Sequence, residues 1–363
     1  MRRILITDLK AEMVVARAIY NSDGRTLLHA NIILSDAYIK RLSEMNIASI
    51  YVKDTIQEET DLQDVISEEV RVATIVAVRD SFQKLEQERR LNIQSVQVMV
   101  FKILDELLSN PNVLVNLSDI RIFDDHTFSH SVNVCVLALL SGIVLGYDEY
   151  KLRELGIGSL LHDIGKTRIP KDLLNKPDDL TREEFIEIKR HTEYGFEILR
   201  QYPEVALLSA HIALQHHERW DGHGYPRNLA GEKIHEYARI TAVADVYDAL
   251  LADRPYRPAY TINQAITILK RMSAIYLDER CVKALVANIA LFPVGSMVQL
   301  NTGDYGVVID VNRDSPSRPV IKVFSDKNGR RLPQIHEIDL SKLSTIMVFK
   351  VLCQEEIEEL GLY

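Results

Sequence analysis

Residues His216–Pro226 read HHERWDGHGYP: three histidines, a glutamate and an aspartate beside two glycines and a proline. An apolar core rejects that many polar side chains unless each finds a partner, and a surface loop has no use for them. The stretch therefore has to be read with whatever else the chain can bring near it. Nine of the eleven histidines fall between His126 and His235. His126 and His130 are four apart and share a face on a helix. LLHDIGK sets His162 and Asp163 side by side with Lys166 just beyond, IKRHTEYG adds His191, and TAVADVYDAL adds Asp245 and Asp248.

Imidazole and carboxylate are ligand types favoured by iron, manganese and zinc. One aspartate can reach two ions with its two oxygens. A pair of ions lowers the pKa of a shared water and binds the oxygens of an in-line phosphoryl displacement. The set, free of thiolates, reads as a polynuclear hydrolytic site and not as a structural zinc site. A histidine standing alone on a helix is ordinarily a hydrogen-bonded core or surface residue, which is the reading for His29, His211, His235 and His336; His223 reads as a rim residue of the turn.

The 363 residues exceed one ordinary domain and suit a large domain with smaller appendages. Hydrophobic content of 47% and charged content of 26% are those of a globular chain with a real core. The net charge of −9 excludes a general polycationic surface for duplex nucleic acid; a small anionic substrate would need local basic residues. Cys135, Cys281 and Cys353 form no CxxC pair, so neither a disulfide framework nor a zinc ribbon is expected. The start, MRRILITDLK, lacks an apolar signal region. VNVCVLALLSGIVLGY (132–147) is short for a membrane span and carries Asn133, so it is expected as a buried core helix. The expectation is a reduced, cytoplasmic protein without membrane insertion.

Residues 1–55 mix short β-rich runs (ILIT, SIYV), a turn at NSDGRTLL and a helix SDAYIKRLSEMN capped by Ser35, a small α+β module of regulatory character. Residues 56–110 contain one or two long helices, a connector that either packs on its own chain or forms a homodimer. From 111 to 290 the chain reads helix after helix, as in TREEFIEIKRHTEYGFEILRQ, with Thr181 and Glu184 as a capping box, and INQAITILKRM. After LFPVG the pattern alternates (SMVQLNTGDYGVVIDVN, RPVIKVFSD), giving a small antiparallel β unit to about residue 348 within a C-terminal region 291–363. The fold class is mainly α, with a small β unit at the end.

HDIGK followed by HHERWDGHGYP matches HDxGK and HHExxDGxGYP, and the chain resembles the HD-GYP phosphodiesterases, a branch of the HD superfamily. HSVNV, IPKDLLNKP, ARITAVADVYDAL and RPYRPAY follow in the family's order, so the resemblance covers about residues 111–290. It implies an HD-type helical catalytic domain, two or three divalent ions (iron or manganese), and hydrolysis of cyclic di-GMP to pGpG or onward to GMP. By motif position, His130, His162, Asp163, His191, His216, His217 and Asp245 would hold the metals, with Asp163 bridging and a metal-bridging hydroxide as nucleophile. Lys166, Arg254 and Arg257 would contact phosphate, and Asp248 would help to place the guanine or an ordered water. Glu218 and Asp221 would tie the turn to its surroundings. GHGYP would form a rigid lip offering Tyr225 to substrate and a contact surface to GGDEF-domain proteins.

The chain departs from the family pattern at His126, where members with three ions carry Glu and many others Tyr. An imidazole there is a candidate third-metal ligand, and the end product turns on it. KPDDL also departs, since a Gly usually follows that proline. Two other readings stay open: an HD phosphohydrolase for another nucleotide or for cyclic GMP-AMP, and a catalytically weak cyclic-di-GMP receptor. The GYP lip and RPYR segment speak against the first, and the intact core motifs against the second.

Overall fold

The computed structural model describes residues 2–20, 25–45, 47, 49–53, 65–109, 126–176, 178–252, 259–292, 294–312, 315–352 and 354–361. The chain divides into two compact units. One is made of residues 66–111 and 125–288, the other of residues 1–65, 112–124 and 289–363.

In the N-terminal part of the second unit, β1 (Arg2–Leu5) pairs antiparallel with β4 (Ser49–Val52), and β2 (Ile19–Tyr20) with β3 (Thr26–Leu28). Helix α1 (Asp36–Glu44) starts at Ser35, whose hydroxyl accepts the Tyr38 N–H at 3.3 Å as the sequence predicts. Val15, Leu34 and Val52 centre a small core of their own. The expected turn at residues 21–24 lies outside the described residues.

The helical unit begins with α2 (Glu68–Glu88) and α3 (Ile93–Ser109). Ser67 caps α2 and is held by Glu106, which accepts both its N–H (2.6 Å) and its hydroxyl (2.7 Å). Next come α4 (His126–Val144), α5 (Glu149–Leu160), α6 (Lys171–Leu174), α7 (Arg182–Lys189) and α8 (His191–Leu199). They are followed by α9 (Leu207–Gln215), α10 (Glu236–Leu251), α11 (Ile262–Met272) and α12 (Glu279–Val286).

Helix α4 is the axis of this unit. Val132 and the run Val134–Leu139 are 0% exposed, and α2, α5, α10 and α12 pack around it. The apolar stretch that was expected as a core helix is therefore one. The connector helices pack on their own chain, α2 against α4 and α3 against α5. The capping box at Thr181 and Glu184 forms in full, and Thr261 with Gln264 makes a second one that sequence reading did not single out. The single helix expected over 181–201 is two, α7 and α8, separated at Arg190. Among the described residues, no helix is long and apolar enough to cross a membrane.

The C-terminal part forms an antiparallel sheet of five strands in the order β8-β7-β6-β5-β9. Its strands are β5 (Met297–Leu300), β6 (Tyr305–Asp310), β7 (Val320–Ser325), β8 (Arg331–Asp339) and β9 (Val348–Val351). Val298, Leu300, Val308, Ile321 and Val323 supply the buried face, the period-2 signature that the sequence shows. The unit runs past the expected end at residue 348, through β9 and a short helix, α13 (Gln354–Glu359).

Candidate metal centre

Five helices bring the motif residues together. His130 projects from α4, His162 and Asp163 follow the end of α5, His191 opens α8, His216 and His217 close α9, and Asp245 lies on α10. Three overlapping groups have ligand atoms within 4.8 Å of one another: His191, His216 and His217; His130, His162 and Asp245; His162, Asp163 and His216. His162 and His216 are each shared, so all seven residues form one continuous cluster. His162, Asp163, His191 and His216 are buried.

Local backbone geometry sets which nitrogens face inward. His162 Nδ1 is 2.8 Å from the Ser159 carbonyl oxygen, His191 Nδ1 2.7 Å from Ile188, and His216 Nδ1 3.0 Å from Ala213. A carbonyl oxygen only accepts, so each of these nitrogens carries the hydrogen. The three Nε2 atoms then present lone pairs. His191 Nε2 and His216 Nε2 lie 3.4 Å apart and 3.5 and 3.9 Å from Asp163 Oδ1. That oxygen is buried and has no hydrogen-bond partner among the described residues. Lone pairs and a bare carboxylate oxygen converging in a buried place repel one another, and a cation between them removes the conflict. The donor set fits divalent metal ions.

The electrostatics agree. Burial holds His216 well below the usual imidazole range, aided by His217, and lowers His191. Burial brings His217 down to about 4 despite Asp245. These three rings are neutral and ready to ligate at neutral pH. Burial alone would raise Asp163, yet Lys166 and His162 hold it well below the ordinary carboxylate value. His130 goes the other way: burial opposes its charge, but Asp245 and Asp248 push it up to about 10.

Lys166 stands in a 3-10 turn, Ile164–Arg168, with Nζ 2.6 Å from Asp163 Oδ2 and its side chain 34% exposed. Gly165 permits that turn. A Cβ there would collide with the His191 carbonyl oxygen and come within 2.5 Å of the Gly195 nitrogen, so the backbones of the HDIGK turn and α8 touch only because residue 165 has no side chain.

The lip is tied down as expected. Glu218 accepts the N–H groups of Arg227 (2.7 Å) and Leu229 (2.9 Å), and Asp221 accepts from the Arg219 side chain and from the His223 N–H. At Gly224 a Cβ would lie 2.5 Å from Glu218 Cα. The Tyr225 ring rests 4.8 Å from the His217 ring, and burial with nearby Asp163 and Asp245 raises its phenol above the ordinary range. His223 is exposed at the rim, His235 caps α10, and His29 and His336 are exposed, so none of these joins the cluster. His211 bonds Gln215 outside it.

Asp248, expected to help place the guanine or an ordered water, lies beside the cluster on α10. The structure engages both its oxygens with protein: Oδ2 with His130 Nδ1 at 2.7 Å, and Oδ1 with Asn133 Nδ2 at 2.8 Å. It stands behind His130. Asn133 itself was visible as a polar residue in an apolar helix, but its role was missed. The side chain of His126, and Arg254 and Arg257, lie outside the described residues, as does Pro177 of KPDDL.

The HD domain family matches residues 115–281, and the KOW domain associated with HD domain matches 297–360. The chain is 35% identical over 284 residues to the cyclic di-GMP phosphodiesterase PA4108 of Pseudomonas aeruginosa, covering 76% of this chain and 68% of that protein. It is 46% identical over 146 residues to the cyclic di-GMP phosphodiesterase response regulator RpfG of Xanthomonas campestris pv. campestris, 39% of this chain and 38% of that one. The solved structure of Bd1817, an HDGYP protein from Bdellovibrio bacteriovorus, superposes with a TM-score of 0.51 at 18% identity, over 78% of this chain and 97% of its own. At that identity the likeness speaks for the fold alone. With the motif order, the helical fold and these relatives together, the chain belongs to the HD-GYP family of HD-domain phosphodiesterases.

Proposed function

We propose that the protein hydrolyses cyclic di-GMP, adding one water across a phosphodiester bond to give pGpG, with further cleavage to GMP depending on a third ion near His126. The observation that carries this is the cluster of five histidines and two aspartates, four of the seven buried, around Asp163 Oδ1, which has no hydrogen-bond partner among the described residues, with Lys166 beside it. When bound, divalent ions in such a cluster activate water and bind phosphoryl oxygens. The chain's own residues do the rest. Asp163 offers Oδ1 inward while Lys166 engages Oδ2, so Asp163 would help to hold the ions. The part-exposed Lys166 ammonium can turn to a phosphate oxygen and offset charge developing there. Tyr225, stacked beside His217, gives the rim a flat face for a base. Arg254 and Arg257 are proposed as further phosphate contacts from their motif positions.

Iron or manganese is the proposed metal, as the family resemblance implies, and the imidazole and carboxylate set without thiolate accommodates both. Contact with GGDEF-domain proteins at the lip is proposed from the family resemblance, a homodimer from the apolar spacing of the helical connector, and a cytoplasmic location from three cysteines that suggest no disulfide framework. The test is elemental analysis of anaerobically purified protein together with chromatography of the products formed from cyclic di-GMP and, in parallel, from cyclic GMP-AMP. Bound metal with conversion of cyclic di-GMP is expected. Bound metal without cleavage would replace the enzyme reading with a receptor, and faster conversion of cyclic GMP-AMP would change the substrate.

A further inference from the structure

Behind the cluster, two helices interlock through residues three apart. His130 and Asn133 share a face of α4, and Asp245 and Asp248 share a face of α10; the two helices pack together. His130 sits between both carboxylates, with Nε2 3.2 Å from Asp245 Oδ1 and Nδ1 2.7 Å from Asp248 Oδ2. The remaining oxygen of Asp248 accepts the Asn133 amide at 2.8 Å. Asn133 is 5% exposed between Val132 and Val134, both 0% exposed.

These bonds constrain one another. The Asn133 Nδ2 group can only donate, so it holds Asp248 as an acceptor and fixes the plane of its carboxylate. With one oxygen held, Asp248 keeps the other on His130 Nδ1. His130 Nδ1 then carries a hydrogen whatever the charge of the ring, and Nε2 is the nitrogen aimed at Asp245 and the rest of the cluster, open to a metal once its own proton is displaced. We propose that Asn133 is a positioning residue that, through Asp248, fixes the tautomer and ring orientation of His130 toward the metal centre. The proposal rests on the cluster being that centre. It adds to it a residue three positions outside the ligand set.

A merely structural Asn133, tying α4 to α10, would change melting temperature and nothing else. The experiment compares the full-length protein with Asn133→Ala, Asn133→Asp, Asp248→Asn and the double variant Asn133→Asp/Asp248→Asn. It reads manganese(II) affinity by calorimetry and, on protein loaded with diamagnetic zinc(II), which the same ligand types bind, the ring-nitrogen NMR signals of His130. Asn133→Ala is expected to weaken manganese binding about 10- to 100-fold and to lose the single hydrogen-bonded Nδ1–H signal of His130. Asn133→Asp is expected to be worse, because two carboxylates then abut. The double variant exchanges amide and carboxylate while keeping the chain of bonds to His130, and is expected to recover affinity relative to Asn133→Asp.

Unchanged affinity and an unchanged His130 signal in Asn133→Ala would overturn the proposal. So would a double variant no better than Asn133→Asp in a folded protein. Wild-type protein that binds manganese and shows the Nδ1–H form, but cleaves no cyclic di-GMP, would sustain this inference while removing the function proposed above.

Discussion

Asp163 and Lys166 touch each other at 2.6 Å, yet their losses should separate. Asp163 supplies the buried, unpartnered oxygen between His191 and His216, so Asp163→Ala is expected to abolish both metal content and turnover. Lys166→Ala removes a charge from the exposed side and leaves the donors in place, so metal content should stay near wild type. Its kcat should fall about 10²- to 10³-fold, the usual cost of removing one donor to a developing oxyanion. Elemental analysis beside steady-state kinetics checks both, and a metal-free Lys166→Ala would contradict the division of labour. A second expectation follows from His130. Between Asp245 and Asp248 its ring is raised to about 10, so the metal-free protein carries a proton there at neutral pH. A raised pKa means the proton persists until pH climbs through about 10, and a metal taking Nε2 must displace it. Loading should therefore release one proton at pH 7, and affinity at that ring should rise roughly tenfold per pH unit below about 10. His217, lowered to about 4, contributes no such dependence above pH 6. Calorimetry in buffers of different ionisation enthalpy reads the proton count; a count of zero would rule the expectation out.

At the scale of elements, the centre depends on how closely the HDIGK turn approaches α8. Gly165→Ala puts a methyl into the His191 carbonyl and within 2.5 Å of the Gly195 nitrogen, and backbone cannot yield as a flexible side chain does. The variant should lose about 1–3 kcal/mol or more and, by displacing α8 and with it His191, should also lose metal. Gly231→Ala is the control: φ is +57° but nothing lies within 4 Å of the new Cβ, so it should cost about 1–2 kcal/mol of backbone strain and keep full metal content. Equal metal content in the two variants would show that the approach does not position the centre. The same elements mark what a sequence can reveal. HHERWDGHGYP announces a tied turn because Glu218, Asp221 and the glycines act on neighbours only a few positions away. The capping box at Thr181 is likewise local. The break at Arg190 was hidden, since that residue is helical itself and its N–H reaches Glu187 and Ile188; no glycine or proline signals it. It arises where α8 meets Gly165, a contact 26 residues away in sequence. The bonds of Asp248 are hidden for the same kind of reason: its motif position suggests substrate, while His130 and Asn133 reach it from a helix that the sequence cannot dock.

On the scale of the whole molecule, the chain combines a helical unit holding every described cluster residue with a second unit built from its two ends. The HD domain match lies over the first and the KOW match over the C-terminal sheet of the second. Metal binding is therefore linked to the folding of one unit. A ligand that binds only the folded form stabilises it by about 2.7 kcal/mol when present at 100 times its dissociation constant, equivalent to about a 100-fold slowing of exchange through unfolding. Hydrogen exchange followed by mass spectrometry, with manganese and then with chelator, should show that slowing in the most protected amides of α4, α5, α8, α9 and α10. Amides of β5–β9 should exchange at the same rate in both conditions, because no donor of the cluster comes from that sheet. Protection lost equally from the sheet and the helices on chelation would show instead that the metal stabilises both units as one cooperative body, and the assignment of its effect to the helical unit alone would have to be given up.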